Sequence, residues 1–147
     1  MSKKVIILFG SKADIGFAES LRLALKGFGI DFDQRIASAH KTPEKVLGIL
    51  RGYEKSKDEI VYITIAGRSN ALSGLVDAST KFPVIACPSY SEEFADIDIY
   101  SSLRMPSGVA PLVVLEPEAA ALAAAKILAL SDEKLSKKIV EYQRRKK

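Results

Sequence analysis

Five short apolar runs alternate with longer stretches of helical period, and this alternation constrains the fold more than any other feature of the chain. Val5-Ile6-Ile7-Leu8-Phe9 is continuous, as expected of a strand buried on both faces. After a turn at Gly10, Phe17, Leu21, Leu25 and Phe28 fall at helical spacing and predict a core-facing stripe, which Gly27 and Gly29 stop. Residues 31–37 read as a second strand. Pro43 then stands where the first turn of a helix accepts proline, and Val46, Leu47, Leu50 and Tyr53 give that helix an apolar face. Residues 60–66 are the third predicted strand, followed by a helix over 70–79, and residues 84–87 are the fourth. A helical turn or two through Ile97, Ser101 and Leu103 leads to a break at Pro106. Leu112-Val113-Val114-Leu115 is the fifth strand. Pro117 and its acidic neighbours open an alanine-rich helix, and a last helix, about 132–147, carries Leu135, Ile139 and Tyr142.

Repeated strand–helix alternation implies parallel strands joined by right-handed crossovers. Five strands in 147 residues fit an α/β, three-layer, doubly wound sheet of flavodoxin-like order, formed as a single domain over 1–147. Ligands of such sheets bind beyond the carboxyl ends of the strands, at the switch point. That rule nominates the loops after strands one, two and three.

Composition removes several classes of function. At 48% hydrophobic, the chain can fill one sizeable core. Its charge of +4 looks basic, but Lys137, Lys138, Arg144, Arg145, Lys146 and Lys147 supply much of it from the C-terminal end. A solvated helix end or a frayed terminus accounts for such a run, so no nucleic-acid partner is expected. The single cysteine, Cys87, excludes an internal disulfide and a cysteine-based metal site. It lies in an apolar run and reads as a buried strand residue rather than a nucleophile. No stretch approaches the ~20 apolar residues of a membrane span, and the apolar run after Lys4 is too brief for a signal peptide. A cytoplasmic protein without a membrane partner is expected.

The polar residues that need explaining lie in the strand-end loops. His40 is the only histidine, set in Ser38-Ala39-His40-Lys41-Thr42-Pro43 after the second strand. Histidine can both take and give a proton near neutral pH. The alternative is a histidine that only hydrogen-bonds locally at a helix start. After strand one, Gly10-Ser11-Lys12-Ala13-Asp14-Ile15-Gly16 matches neither GxGxxG nor a P-loop. Ser11 and Asp14 could cap the first helix, or the loop could hold a phosphate while the carboxylate takes ribose hydroxyls. After strand three comes Ala66-Gly67-Arg68-Ser69-Asn70, which suits an anion or carboxylate, though Asn70 could equally be an N-cap. Ser101-Ser102-Leu103-Arg104-Met105-Pro106-Ser107-Gly108 could simply end a helix at its proline and glycine.

Taken in order, these four segments resemble the aminoimidazole ribonucleotide carboxylase family of purine biosynthesis, from residue 5 to about residue 130. The Ser-Ala-His-[Lys/Arg]-Thr-Pro segment is highly specific to it. The family has two branches. Most bacterial members resemble mutases acting on N(5)-carboxyaminoimidazole ribonucleotide, with Ser-Asp after strand one, arginine after the histidine and Ala-Gly-Gly-Ala-Ala-His after strand three. Here those places hold Ala13-Asp14, Lys41 and Ala66-Gly67-Arg68-Ser69-Asn70. That pattern resembles the second branch, the carboxylases that use free CO2, including the carboxylase domain of the animal bifunctional enzyme.

The resemblance implies reversible, ATP-independent addition of CO2 to C4 of aminoimidazole ribonucleotide, with no metal and no cofactor. It implies His40 as the general acid–base group, with Ser38 orienting it or bonding the new carboxylate. Ser11 and Lys41 would hold the 5′-phosphate, Asp14 the ribose hydroxyls, and Gly67, Arg68, Ser69 and Asn70 the CO2 or product carboxylate, with Gly10 also among the substrate-binding residues. Ala39, Ala66 and Ala71 would leave room for so small a molecule. Family members are homo-oligomers, and the alanine-rich 119–125 face could meet a second copy, or else pack on the sheet of its own subunit. The mutase reaction and a non-catalytic, flavodoxin-like nucleotide-binding module remain alternatives.

Overall fold

The computed structural model describes residues 1–89 and 97–147. Five parallel strands, β1 (Lys3–Phe9), β2 (Asp31–Ile36), β3 (Glu59–Ile65), β4 (Val84–Ala86) and β5 (Leu112–Val113), pair in the order β2-β1-β3-β4-β5. This is the flavodoxin-like order. Among the described residues, six α-helices connect and flank them: α1 (Glu19–Phe28), α2 (Pro43–Glu54), α3 (Ala71–Ala78), the short α4 (Tyr100–Leu103), α5 (Pro117–Leu128) and α6 (Glu133–Arg145). No helix among the described residues is long and apolar enough to cross a membrane.

The period of two along β1 divides the core. Val5, Ile7 and Phe9 point to one face, where Leu21, Leu25 and Phe28 of α1, the alanines of α5 and Leu135 and Ile139 of α6 cover them. Ile6 and Leu8 point to the other, against Val46 and Leu50 of α2 and Leu72 and Val76 of α3. Because both faces are covered, the central strands have no polar side, which is why they read as unbroken apolar runs. β2 differs. As an edge strand it carries Asp31, Gln34 and Arg35 into solvent.

Several boundaries depart from the sequence reading. The predicted first helix begins as two 3-10 turns, Lys12–Asp14 and Gly16–Ala18, so Phe17 precedes α1 rather than lying on it. Such turns are common at helix starts, and Gly16 weakens α-helix there. Gly27 lies inside α1, and Gly29 alone ends it, at φ 72° in the left-handed region. The fifth strand is two residues long, although Val114 N–H still donates to the Ala86 carbonyl. The thiol of Cys87 is buried, and burial pushes its pKa up to about 12. That keeps it protonated and inert.

Much of the alanine-rich 119–125 stretch lies inside the subunit. Ala120, Ala121, Ala124 and Ala125 of α5 are wholly buried and pack in one cluster with α1 and the sheet. Small side chains let the helix approach closely, so these four are not open to a second copy, while Ala119 is exposed and Leu122 and Ala123 are half-buried.

Candidate functional site

The site follows from strand order. β1 leads outward to β2, and the chain then crosses back to β3, so the loops after β1 and β3 diverge and leave a crevice at their carboxyl ends. Gly10 N–H donates to the Ile65 carbonyl at 2.9 Å and Ala37 N–H to the Phe9 carbonyl at 2.9 Å, so the strand ends themselves stay paired. Beyond them lies a cavity of about 520 Å³. It is lined by Gly10, Ser11 and Asp14 after β1, by Ser38, His40 and Lys41 after β2, and by Gly67, Arg68 and Ser69 after β3. Ala39 and Ala66 line it too, but Ala71 does not.

A larger hollow of about 730 Å³ lies between α1 and α6, floored by Leu23, Ala24, Phe28 and Tyr142. It lies away from the strand ends. The smaller cavity is the stronger candidate because convergent hydroxyl, carboxylate, imidazole and cationic groups meet there at the switch point.

Local hydrogen bonds shape the loops after β1 and β2 around the cavity. Ser11 N–H and Ser11 Oγ both donate to Asp14 Oδ2, at 3.1 and 3.0 Å, which turns the carboxylate back over the loop. The capping alternative therefore holds locally, while the same two residues still line the cavity. After β2, Thr42 N–H donates to the Ser38 carbonyl, Ser38 N–H to Thr42 Oγ1 and Lys41 N–H to Ser38 Oγ. This tight turn carries His40 at its apex, exposed, and among the described residues none hydrogen-bonds its ring. Ser38 Oγ accepts from the backbone and so keeps its own proton to give.

Arg68 has φ 59°, the one non-glycine residue in the left-handed region among those described. The conformation costs an L-residue roughly 1–2 kcal/mol, and persists where the surroundings impose it. Arg68→Gly relieves that strain while loosening the unfolded chain, so its backbone effects should nearly cancel, to within about 1 kcal/mol, and the protein should still fold. Turnover should fall sharply all the same. Thermal melting beside steady-state kinetics checks both halves, and loss of stability without loss of turnover would make the arginine structural.

Asn70, expected among the ligand-binding residues, is not among those lining the cavity. It is 1% exposed and caps α3, with Oδ1 accepting from Ser73 N–H at 3.2 Å and Nδ2 donating to Ser102 Oγ at 2.9 Å. Its own N–H donates to Ser101 Oγ at 2.8 Å. Asn70 thus caps α3 with Oδ1 and joins the β3 loop to α4 through Nδ2 and its backbone N–H. This also gives the 101–103 segment a place: it is the buttress of that loop. Conversely, Ser89 lines the cavity and escaped the sequence reading. Its signal was its position just beyond the carboxyl end of β4, which the strand-end rule covers equally well.

Comparison with known proteins agrees with this geometry. The family model described as AIR carboxylase matches residues 4–147. A phosphoribosylaminoimidazole carboxylase of Archaeoglobus fulgidus is 57% identical over 98% of this chain and 79% of its own length. One from Treponema denticola is 54% identical over 97% and 89%. The human bifunctional phosphoribosylaminoimidazole carboxylase/succinocarboxamide synthetase is 40% identical over 88% of this chain, but only 30% of its own length. The crystal structure of Treponema denticola PurE superposes with a TM-score of 0.95 at 52% identity, covering 98% of this chain and 91% of that one. Matched along nearly its whole length in sequence and in fold, the chain belongs to the AIR carboxylase family and is an enzyme of it.

Proposed function

We propose that the enzyme carboxylates aminoimidazole ribonucleotide at C4 with free CO2, without ATP, metal or cofactor, in purine biosynthesis. The observation that carries this reading is that the chain's one histidine opens onto the same cavity as Asp14, Lys41 and Arg68. The ring of the substrate is an electron-rich enamine, so C4 attacks the carbon of CO2 directly. One C–C bond forms, one C–O π bond becomes a carboxylate lone pair, and C4 becomes tetrahedral, bearing both its hydrogen and the new carboxylate. Neutral His40 then takes that proton, the C–H electrons restore the aromatic ring, and the imidazolium returns the proton to water. In the reverse direction the imidazolium protonates C4 and CO2 departs.

The remaining groups hold the two ends of the substrate. Arg68 faces the carboxylate as a charge-assisted donor, with the Gly67 backbone close beside it and Ser38 Oγ–H as a further donor. Lys41 takes the 5′-phosphate together with Ser11, whose hydroxyl turns from Asp14 to do so, and Asp14 accepts from the ribose hydroxyls. Asn70 acts on the ligand only through the loop it anchors. The Arg68-Ser69-Asn70 loop and Lys41 favour the CO2-using reaction over the mutase reaction, in line with the carboxylase name borne by the Archaeoglobus fulgidus and Treponema denticola relatives.

Turnover measured without ATP on each of two substrates tests the reading. Aminoimidazole ribonucleotide plus bicarbonate-derived CO2 should be converted at enzymatic rates, and N(5)-carboxyaminoimidazole ribonucleotide poorly. Faster conversion of the carbamate would assign the mutase reaction, and conversion of neither would overturn the assignment of either substrate.

A further inference from the structure

Asp14 is gripped from two directions. Ser11 holds Oδ2 from within the same loop, while Ser89 Oγ–H donates to Oδ1 at 2.7 Å from the end of β4, 75 residues further along the chain. The second grip depends on Gly67. A Cβ there would fall 2.9 Å from Ser89 Oγ, closer than real Cβ atoms come, and 3.1 Å from the Ser89 carbonyl oxygen, tighter than most such contacts. Glycine in the β3 loop thus lets the β4 loop reach across it to the carboxylate of the β1 loop.

We propose that Ser89 is a positioning residue for nucleotide recognition, holding the Asp14 carboxylate in register for the ribose diol after the phosphate has drawn the Ser11 hydroxyl away. The inference rests on the reading that Asp14 accepts from the ribose. In the free enzyme two hydroxyls donate to this carboxylate, and one of them, Ser11, sits in the loop that the phosphate also needs. A hydroxyl cannot give its single proton to both anions. When Ser11 turns to the phosphate, Ser89 becomes the side-chain donor that fixes the carboxylate's rotation. A carboxylate has about four acceptor positions, so the bond from Ser89 leaves room for two ribose hydroxyls.

The test pairs Ser89→Ala and Ser89→Thr with Asp14→Asn. Each is assayed with aminoimidazole ribonucleotide and with its 2′,3′-dideoxy counterpart, and each is melted thermally. Losing one hydrogen bond to a charged group should raise KM for the ribonucleotide by roughly 10-fold in Ser89→Ala, with kcat changed far less. The dideoxy substrate should show no such penalty, and threonine, which keeps the hydroxyl, should restore most of the affinity. If Ser89→Ala leaves KM unchanged while Asp14→Asn erases the preference for the diol, the ribose role of Asp14 stands and the proposal falls. If Asp14→Asn keeps the preference for the diol, the ribose role fails and takes the proposal with it. An equal penalty on both substrates, accompanied by a lower melting temperature, would show that Ser89 merely stiffens the loops.

Discussion

Replacing His40 with asparagine should lower kcat by about 10²–10⁴-fold, the range a positioned acid–base group typically contributes. Asparagine preserves approximate size and hydrogen-bonding capacity but cannot cycle a proton. The C–C bond can still form, yet the tetrahedral intermediate has no base to which C4 can release its hydrogen. Binding should survive, because Lys41, Asp14 and Arg68 are untouched, so KM should change little. Folding should survive as well. The turn around residues 38–42 is closed by Ser38, Lys41 and Thr42, and the imidazole is exposed. A kcat near that of the parent would return His40 to a local role at the start of α2, and the unchanged melting temperature expected here keeps that comparison clean.

Asn70→Ala should produce the largest loss of stability among the loop residues. Truncation removes the N-cap of α3, worth about 0.5–2 kcal/mol, and strands Ser102 Oγ, itself 2% exposed, at a further cost of about 1–3 kcal/mol. With a fall of roughly 2–4 °C in Tm for each kcal/mol in a chain of this size, melting should drop by about 10 °C. Asn70→Ser keeps an acceptor for the cap and loses only the bond to Ser102, so it should fall about half as far. Turnover should weaken in both, because the residue joins the Arg68 loop to α4. Calorimetry on the three proteins checks the order, and a destabilisation equal in the serine and alanine variants would mean that the cap contributes nothing.

The sheet was legible in the sequence because its signals are local. Val5–Phe9 and residues 60–66 read as buried strands since both faces of the sheet are covered and no position along them has to be polar. Pro43, Pro117 and the Phe17–Phe28 stripe marked helices for equally local reasons of backbone geometry and period, although Phe17 proved to lie in a 3-10 turn before α1. The strand-end rule then brought His40, Ser38, Lys41, Ser11, Asp14, Gly67, Arg68 and Ser69 to one cavity without any knowledge of contacts.

What the tertiary structure alone decided is which of two chemically reasonable partners a polar group takes. Asn70 reads equally as ligand donor or helix cap, and it became a cap because packing α4 against α3 offered Ser101 Oγ to its backbone N–H and Ser102 Oγ to its side-chain amide and left it buried. The alanine-rich stretch of α5 suits a second copy or its own sheet, and the closeness of α1 consigned Ala120, Ala121, Ala124 and Ala125 to the subunit core. Ser89 and Asp14 lie 75 residues apart, and no periodicity relates them. They meet because β4 lies beside β3, β3 beside β1, and Gly67 between them has no side chain. Burial pattern and backbone preference are written residue by residue along the chain, whereas hydrogen bonds between strand-end loops depend on strand order, which emerges only when the whole sheet closes on its core.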